Sequence, residues 1–399
     1  MSRTPAMSSD PPSSLAPDGN FTFSLGPASG FRDLAETWRA LETRADISFF
    51  LTWDWMGRWL AEIEGPTYVL ACRQGGRIVA LALLRRAAYR RHRVLPVAAL
   101  LLHQVGDHGI DIITVEYNGF LADRAVADTV THAGLAFLQR PEAEAALGGR
   151  WDEMHFGGVT GDFETLVGDT GLMPWLISRK PSWAVDLDAV RQSGRSYLDT
   201  IGTSTRYQIR RSLRRYEKRG PLTARRATTQ DEIDQFYREM QDLHQRYWIS
   251  RGAPGSYAYP FYERFHRALL RDCVPKGTVE LVRVAAGPSV IGYVYNFICR
   301  GWVCAYHTGF AYETDPKLKP GLVSHYLCIE QHLREGARLY DFMAGDNRYK
   351  ANLGTPGPEL LHLVLQRPGA KLRAEQALRR LKTAVSARRG AATAPARED

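Results

Sequence analysis

The chain has 399 residues, more than one hydrophobic core usually organises, so we expect two domains. Hydrophobic residues make up 44% of it and aromatic residues 11%, which excludes an intrinsically disordered chain. Lysine and arginine outnumber aspartate and glutamate by 52 to 43, and the resulting charge of +9 favours an anionic partner such as a phosphate, a nucleotide, RNA or an acidic lipid.

The start of the chain and its longest apolar run indicate a cytoplasmic protein. Residues 1–20 are rich in Ser and Pro without the apolar core of a signal peptide, so we expect a disordered leader. The longest apolar run, 94–102, reaches about half of the roughly 20 residues that a membrane-spanning helix needs. The five cysteines are scattered and lack the spacing of zinc ligands, so we expect reduced core thiols and no metal site.

A repeated order of elements suggests two lobes. In each half, two helical stretches precede two β-rich runs that a Gly-containing turn joins into a hairpin. The helical stretches are 31–41, 53–63, 233–248 and 261–270, and the hairpin strands are 67–72, 77–84, 280–285 and 290–297. Residues 178–194, around a short strand at 183–187, read as a linker. We therefore predict a leader over 1–20, lobes over 21–190 and 191–367, and a tail over 368–399.

An anion-binding arrangement is predicted in the second half. A strand over 302–308 leads into a loop with Lys317 and Lys319, and a helix follows from about residue 322 to 335, where Gly336 stops it. The first backbone N–H groups of such a helix, over Gly321, Leu322, Val323 and Ser324, attract phosphate oxygens. The alternative is an ordinary strand-to-helix turn with solvated lysines.

More specific motifs lie on the next strand, 338–342, and on both sides of it. Pro320-Gly321, Gly336, Asp341, Gly345 and Tyr349-Lys350 stand in the order found in one branch of the GNAT acetyltransferase superfamily. Over roughly residues 195–355 the chain resembles this branch, which includes the CelD-type polysaccharide-biosynthesis proteins and is related to the Fem-type peptidyl aminoacyl transferases. The segments 206–215 and 243–248 agree with it, and 49–59 resembles it more loosely. One departure is that Leu322-Val323 follows Gly321, where the pyrophosphate motif usually has a further Gly or Ala.

The resemblance implies an α/β (α+β) fold of two tandem GNAT-like lobes, each a mixed, mostly antiparallel sheet flanked by helices. Central strands that splay apart would hold an acyl thioester, most simply acetyl-CoA, for direct transfer to an amine of a sugar or of an envelope or exopolysaccharide precursor. Such an acceptor could be a small molecule or a lipid-linked saccharide.

Four catalytic candidates follow from this expected chemistry. Asp341 is the first candidate for the base that deprotonates the amine, although an Asp that caps the next turn is comparably expected. His307, like His244, is a weaker candidate. By analogy with the family, Lys350 would steady the oxyanion, and Tyr349 would protonate the leaving thiolate or only pack.

Two basic segments complete the predicted site. A helix over 205–219 carries Arg206, Arg210 and Arg214 on one stripe, which is either solvated or contacts a phosphate of a nucleotide-sugar, a lipid pyrophosphate, coenzyme A or tRNA. We predict that these three arginines bind substrate, together with Arg211, His244 and Trp248. The tail over 371–389 is either solvated or a basic amphipathic helix on the cytoplasmic face of the inner membrane.

Two other functions remain open from the sequence. A Fem-type transferase that uses aminoacyl-tRNA would explain the basic charge, but a long charged helical arm is missing from the sequence. A non-catalytic scaffold of polysaccharide synthesis with a degenerate donor site is the second alternative, because the pyrophosphate motif is imperfect.

Overall fold

The structure is a computed structural model that describes residues 20–168, 170–372 and residue 375. The predicted leader, apart from its last residue, and most of the predicted basic tail lie outside the described residues. Within the described part of the chain, no helix combines the length and the hydropathy that a bilayer span requires.

Fifteen strands are described: β1 (Phe21–Pro27), β2 (Tyr68–Gln74), β3 (Arg77–Arg91), β4 (Leu95–Leu102), β5 (Leu121–Ala122), β6 (Glu153–Thr160), β7 (Met173–Lys180), β8 (Ser182–Asp186), β9 (Leu222–Arg226), β10 (Val279–Ala286), β11 (Ser289–Cys299), β12 (Trp302–Phe310), β13 (Leu339–Ala344), β14 (Thr355–Pro356) and β15 (Leu360–Gln366).

Twelve α-helices accompany them in the same part of the chain: α1 (Leu34–Glu42), α2 (Trp53–Glu62), α3 (His108–Asp111), α4 (Ala127–Phe137), α5 (Pro141–Ala146), α6 (Asp162–Leu166), α7 (Leu187–Gln192), α8 (Thr203–Tyr216), α9 (Gln230–Ile249), α10 (Pro260–Cys273), α11 (Pro320–Arg334) and α12 (Arg348–Leu353).

The strands form two mixed sheets, one in each lobe. The first has the order β1-β2-β3-β4-β6-β15-β7, with β5 paired to β3, and the second has the order β14-β8-β13-β12-β11-β10-β9. Each sheet has one parallel pair, β4 with β6 and β12 with β13, and its other described pairs are antiparallel. The predicted fold class, two lobes with mixed, mostly antiparallel sheets flanked by helices, is confirmed.

The two predicted hairpins occupy corresponding places in the sheets. β2 and β3 turn through Gly75 and Gly76, and β10 and β11 turn through Gly287, all at positive φ. Glycine adopts this left-handed backbone without the steric cost of a side chain. The helix pairs α1–α2 and α9–α10 precede the hairpins, as the repeated sequence pattern predicts.

Two strands do not belong to the lobe that their sequence position predicts. β8, expected before the boundary at residue 190, pairs with β13 and β14 of the second sheet. β15, expected in the second lobe, lies between β6 and β7 of the first sheet. Leu361, Leu363 and Leu365 are buried in the first-lobe core, and the alternating residues Val364 and Gln366 are buried as well, which suits a central strand covered on both faces.

The lobes share a hydrophobic core. Its largest cluster joins α1 and α2 to α10 and β11. The ring of Phe49 stacks on Phe297 with centroids 4.6 Å apart, and Trp55 meets Phe265 edge-on at 4.8 Å. The segment 49–59 therefore belongs to the lobe interface. All five cysteines are free, four of them buried, which agrees with the predicted core thiols.

Candidate functional site

The central parallel strands of the second sheet separate after three residue pairs. Trp302 pairs with Leu339, and the last pair joins Cys304 to Asp341. β12 then continues to Phe310 without this partner, whereas β13 continues to Ala344 and stays paired with β8 on its other edge. The two strands thus form the V-shaped opening that the resemblance implies, and we call it the wedge.

A β-bulge lies on β12 beside the wedge. Tyr295 of β11 is opposite His307, and the next residue, Asn296, is opposite Ala305, so Tyr306 is the extra residue. An extra residue breaks the alternation of faces along a strand. Both Tyr306 and His307 accordingly contact aromatic rings of α10.

The approach of α9 to β12 depends on Gly309. A Cβ at this position would lie 2.4 Å from the carbonyl oxygen of Met240, so a side chain would force the helix away. One turn further along α9, His244 meets His307 with ring centroids 4.2 Å apart. Nδ1 of His244 and Nε2 of His307 have no hydrogen-bond partner among the described residues.

These imidazoles are held neutral. Burial lowers the pKa of His307 well below its ordinary value, and the neighbouring His244 and His266 lower it further. Burial also lowers the pKa of His244 to about 4 and that of His266 to about 3. The uncommitted nitrogens of His244 and His307 therefore belong to neutral rings, which can donate or accept a hydrogen bond but carry no charge.

Asp341 lies inside this region with both carboxylate oxygens hydrogen-bonded. Its Oδ2 accepts from the Tyr117 hydroxyl at 2.6 Å and from Trp302 Nε1 at 3.0 Å, and its Oδ1 accepts from the backbone N–H of Met343 at 2.6 Å. Its residue surface is 1% exposed. Burial raises the pKa of Asp341, and the three donors and the charge of Lys350 oppose that rise. This surrounding does not fit the predicted role of a base that meets substrate.

Lys350 lies beside Asp341 without an ion pair between them. Its Nζ donates to the carbonyl oxygens of Ala344 at 2.6 Å and Met343 at 3.4 Å. Burial lowers the pKa of Lys350, while Glu116 and Asp341 oppose the change. The sequence thus predicted the proximity of Asp341 and Lys350, which meet through the backbone of Met343.

Tyr349 packs on the side of the wedge nearer to α11. Its ring stacks on His325 with centroids 5.6 Å apart and meets Phe342 edge-on at 6.2 Å. Burial raises the pKa of its hydroxyl. Of the two roles left open for Tyr349, the packing role is the one that these contacts describe.

The first lobe adds residues that the sequence pattern did not indicate. Tyr117 reaches Asp341, and Oε2 of Glu116 accepts from the backbone N–H of Ala344 at 2.9 Å. Both belong to an irregular segment between α3 and β5. The one local signal was a run of polar and aromatic residues bounded by Gly119, which also describes many surface loops.

The start of α11 offers fewer donors than predicted. The helix begins at Pro320, so the N–H of Val323 donates within the helix, to the carbonyl oxygen of Lys319 at 3.0 Å. Ser324 is fully buried. The predicted contacts of Val323 and Ser324 with an anion are therefore corrected, and Gly321 and Leu322 remain in the first turn, where N–H groups have no helical partner.

The surroundings of this helix start are part basic and part aromatic. The N–H of Lys319 donates to Ser212 Oγ at 3.0 Å, whereas Lys317 is exposed and neither lysine side chain has an ion pair within the described residues. The ring of Phe310 lies 3.1 Å from where a Cβ on Gly321 would stand, so glycine allows this contact.

Several arginines of α8 are paired with acids. Arg206 and Arg210 bind Asp199 at 2.8 and 3.6 Å, and Arg215 binds Asp315 at 2.6 Å. Arg211 lies over the ring of Tyr207, 5.3 Å from its centroid, and Arg214 is exposed. The predicted stripe is therefore in part paired with Asp199, and its exposed members are Arg210 and Arg214.

An open cavity of about 670 Å³ extends beyond the end of β12. It is lined by the C-terminal half of α9 and by residues 310–312, with Tyr247 stacked on Tyr312 at 5.0 Å. Trp248, predicted to bind substrate, is 40% exposed and meets Tyr247 edge-on.

No group of described His, Cys, Asp and Glu residues has an arrangement that could hold a metal ion.

Comparison with known families and structures agrees with this geometry. Residues 203–351 match the family described as Acetyltransferase (GNAT) domain. The matched range covers the wedge, α8, α9 and α11, and it lies within the range over which the resemblance was predicted. The comparison with curated proteins gives no match.

Solved structures are similar over most of the chain. The crystal structure of FemX is 11% identical with a TM-score of 0.56, over 87% of this chain and 98% of its own. The structure of L-PGS from Bacillus licheniformis is 10% identical with a TM-score of 0.50, over 86% and 96%. A tandem GNAT protein from the clavulanic acid biosynthesis pathway is 14% identical with a TM-score of 0.46, over 88% and 100%. At these identities the likeness to FemX and L-PGS shows the fold alone.

Proposed function

We propose that the chain is an N-acyltransferase that moves an acyl group, most simply acetyl from acetyl-CoA, to the amine of a saccharide or of an envelope or exopolysaccharide precursor. The observation that carries this proposal is the wedge between β12 and β13, with the uncommitted nitrogen of His307 beside it. A flat thioester chain needs such an opening between strands, and a direct transfer needs no nucleophilic side chain of the enzyme.

The donor site would extend from the wedge to the start of α11. The N–H groups of Gly321 and Leu322 are free of helical partners, and Lys317 and Lys319 supply positive charge, which fits a pyrophosphate. Coenzyme A would supply the activated thioester. The ordinary strand-to-helix turn remains the alternative for the same four residues, and donor binding decides between them.

The acceptor would approach along α9. His244 and His307 offer hydrogen bonds to an amine or hydroxyl, and the cavity lined by Tyr247 and Tyr312 provides aromatic faces for a sugar ring. In this scheme Asp341 fixes the two lobes against each other, and Lys350 holds the turn after β13. Lys350 would then stabilise the oxyanion electrostatically, as a positive charge held near the wedge.

Acyl transfer with purified protein tests the proposal. Release of free thiol from a panel of acyl-CoA donors should depend on an added amino sugar, and His307→Ala should lower the rate while donor binding by calorimetry is retained. His132→Ala, at a half-buried position of α4 in the first lobe, is a matched control that should leave the rate unchanged. Absence of thiol release with every donor and acceptor, in protein that melts cooperatively, would refute acyl transfer from coenzyme A.

The Fem-type alternative is supported by the likeness to FemX over nearly the whole of both chains. Under this alternative the donor is an aminoacyl-tRNA, and exposed arginines such as Arg210 and Arg214 on α8 would meet its phosphates. Activity that needs aminoacyl-tRNA and is abolished by ribonuclease would favour this alternative over acetyl-CoA.

The leading proposal also includes the CelD-type branch, a cytoplasmic location and contact of the tail with the inner membrane.

A further inference from the structure

The first lobe has a counterpart of the wedge, and its own chain fills it. β4 and β6 pair in parallel only from Ala99–Glu153 to Leu101–His155. Beyond this point the segment 115–118 runs against β6, and the N–H of Asn118 donates to the carbonyl oxygen of Gly158 at 2.9 Å. A Cβ on Gly158 would stand 2.3 Å from the carbonyl oxygen of Val115. This backbone contact leaves no room for a thioester at the corresponding place.

The filling segment crosses into the second lobe and contacts three parts of its site. The Tyr306 hydroxyl on the bulge of β12 donates to the carbonyl oxygen of Ile113 at 2.9 Å. Tyr117 donates to Asp341 on β13, and Glu116 accepts from Ala344 at the end of β13. The segment 113–117, which we call the crossing segment, therefore contacts both strands that border the wedge.

Glu116 is the acidic residue of the crossing segment and lies near both strands. Burial, and to a lesser degree the Glu116 carboxylate, raises the pKa of Cys304 and of Tyr306 on β12. The same carboxylate opposes the lowering of the pKa of Lys350 on the far side. Only Oε2 has a hydrogen bond to a described residue, so Oε1 is available to accept another.

We propose that Glu116, supplied by the first lobe, is the general base of acyl transfer in the second lobe. This assignment rests on the proposed function and names a residue for one of its steps. Both oxygens of the Asp341 carboxylate already accept hydrogen bonds within the chain, whereas Glu116 is half-buried and has one oxygen without a donor among the described residues.

The step balances without any further reactant. The amine nitrogen of the acceptor attacks the thioester carbonyl carbon, the N–C bond forms, and the C–S bond breaks as the thiolate leaves. Glu116 Oε1 takes the proton that the nitrogen loses, and the resulting carboxylic acid returns a proton to the thiolate. The products are an amide and a free thiol, and the carboxylate is regenerated.

The environment raises the pKa of this carboxylate. Burial raises the pKa of Glu116, and the nearby Asp341 adds to the rise, while the N–H of Ala344 and the charges of Lys350 and Lys180 oppose it. The base acts when ionised, so the rate should rise with pH through the pKa of Glu116, above the usual value of about 4.3 for a glutamate. The groups that face Glu116 are Lys180 on β7, Cys304 and Tyr306 on β12, Asp341 on β13 and Lys350 on α12.

The experiment compares pH profiles of kcat/KM for the wild type, Glu116→Gln, Glu116→Asp and Tyr117→Phe. We expect Glu116→Gln to lower kcat/KM about 100-fold or more and to remove the acidic limb, with donor binding unchanged. Compared with Glu116→Gln, Glu116→Asp should recover part of kcat/KM and show an acidic limb in its pH profile. Tyr117→Phe disturbs the crossing segment but keeps the carboxylate, so it should keep the limb. Glu36→Gln, on an exposed position of α1, controls for loss of a surface charge and should match the wild type.

A second measurement does not depend on turnover. The carboxyl carbons of glutamate, followed by NMR in wild type and Glu116→Gln, give the pKa of Glu116 directly. A value at or below the usual one, or an active Glu116→Gln enzyme that keeps the acidic limb, would overturn the assignment of Glu116 alone. A wild type that transfers no acyl group would overturn the proposed function, and the assignment with it.

Discussion

The hydrogen bond between Tyr117 and Asp341 joins the two lobes, and Tyr117→Phe should measure what it contributes. The hydroxyl lies 2.6 Å from Oδ2, within the range of bonds to ionised carboxylates, and both residues are buried. Such bonds contribute about 1.5–3 kcal/mol. The variant keeps the ring and its edge-on contact with Trp302 at 4.7 Å, so we expect a loss of about 2 kcal/mol, which is roughly 30-fold in the folding equilibrium.

Equilibrium unfolding in urea, followed by tryptophan fluorescence, measures this loss. Tyr68→Phe is the matched control, because Tyr68 is half-buried in the first lobe and its hydroxyl makes no hydrogen bond to a described residue. The control should change the free energy of unfolding by less than about 0.5 kcal/mol. If Tyr117→Phe were equally neutral, or if both variants lost the same amount, the joint between the lobes would not depend on this bond.

Three further perturbations test other parts of the molecule. Burial alone would raise the pKa of Glu280, but His332, Arg226 and Asn296 lower it from 4.5 to about 2, so Glu280→Gln should cost of the order of 3 kcal/mol at neutral pH. Because the lowered pKa stabilises the fold above about pH 4.5, the unfolding free energies of wild type and variant should converge as the pH falls towards 2. Gly158→Ala and Gly194→Ala both place a side chain at positive φ, but only the new methyl group at position 158 would meet backbone atoms. The melting temperature of Gly158→Ala should therefore fall further than that of Gly194→Ala. Equal shifts would contradict the close approach of the crossing segment. Gly309→Ala should push α9 from β12 and lower kcat, with thioester binding by calorimetry retained, and an unchanged kcat would show that the distance between His244 and His307 is not critical.

The sequence predicted the elements whose pattern is local. Both hairpins, the helices before them and the strand that carries Asp341 are found close to their predicted limits, except that β3 runs to Arg91 and not to residue 84. The helix expected from about residue 322 begins at Pro320, because proline already has the φ angle of a helix and lacks the N–H that would be unpaired there. This shift also explains why Val323 was counted wrongly among the free donors.

The roles of the site residues were harder to predict because they depend on distant contacts. Asp341 stands on the expected strand, but its donor Tyr117 lies 224 residues earlier in the chain. Glu116 belongs to an irregular segment whose sequence has neither periodicity nor a motif, so only the folded chain brings it to the wedge. The same holds for β15, whose apolar run predicts a buried strand but not the sheet that it joins.

The exchange of β8 and β15 has a consequence for anyone who wishes to dissect the molecule. A fragment cut at residue 190 would lack β15, so β6 and β7 would each present unpaired backbone groups and the apolar face next to them. The complementary fragment would lack β8 and leave β13 without its neighbour. Neither half is therefore a transplantable module, and we expect that separately produced halves aggregate unless they are made together and can recombine.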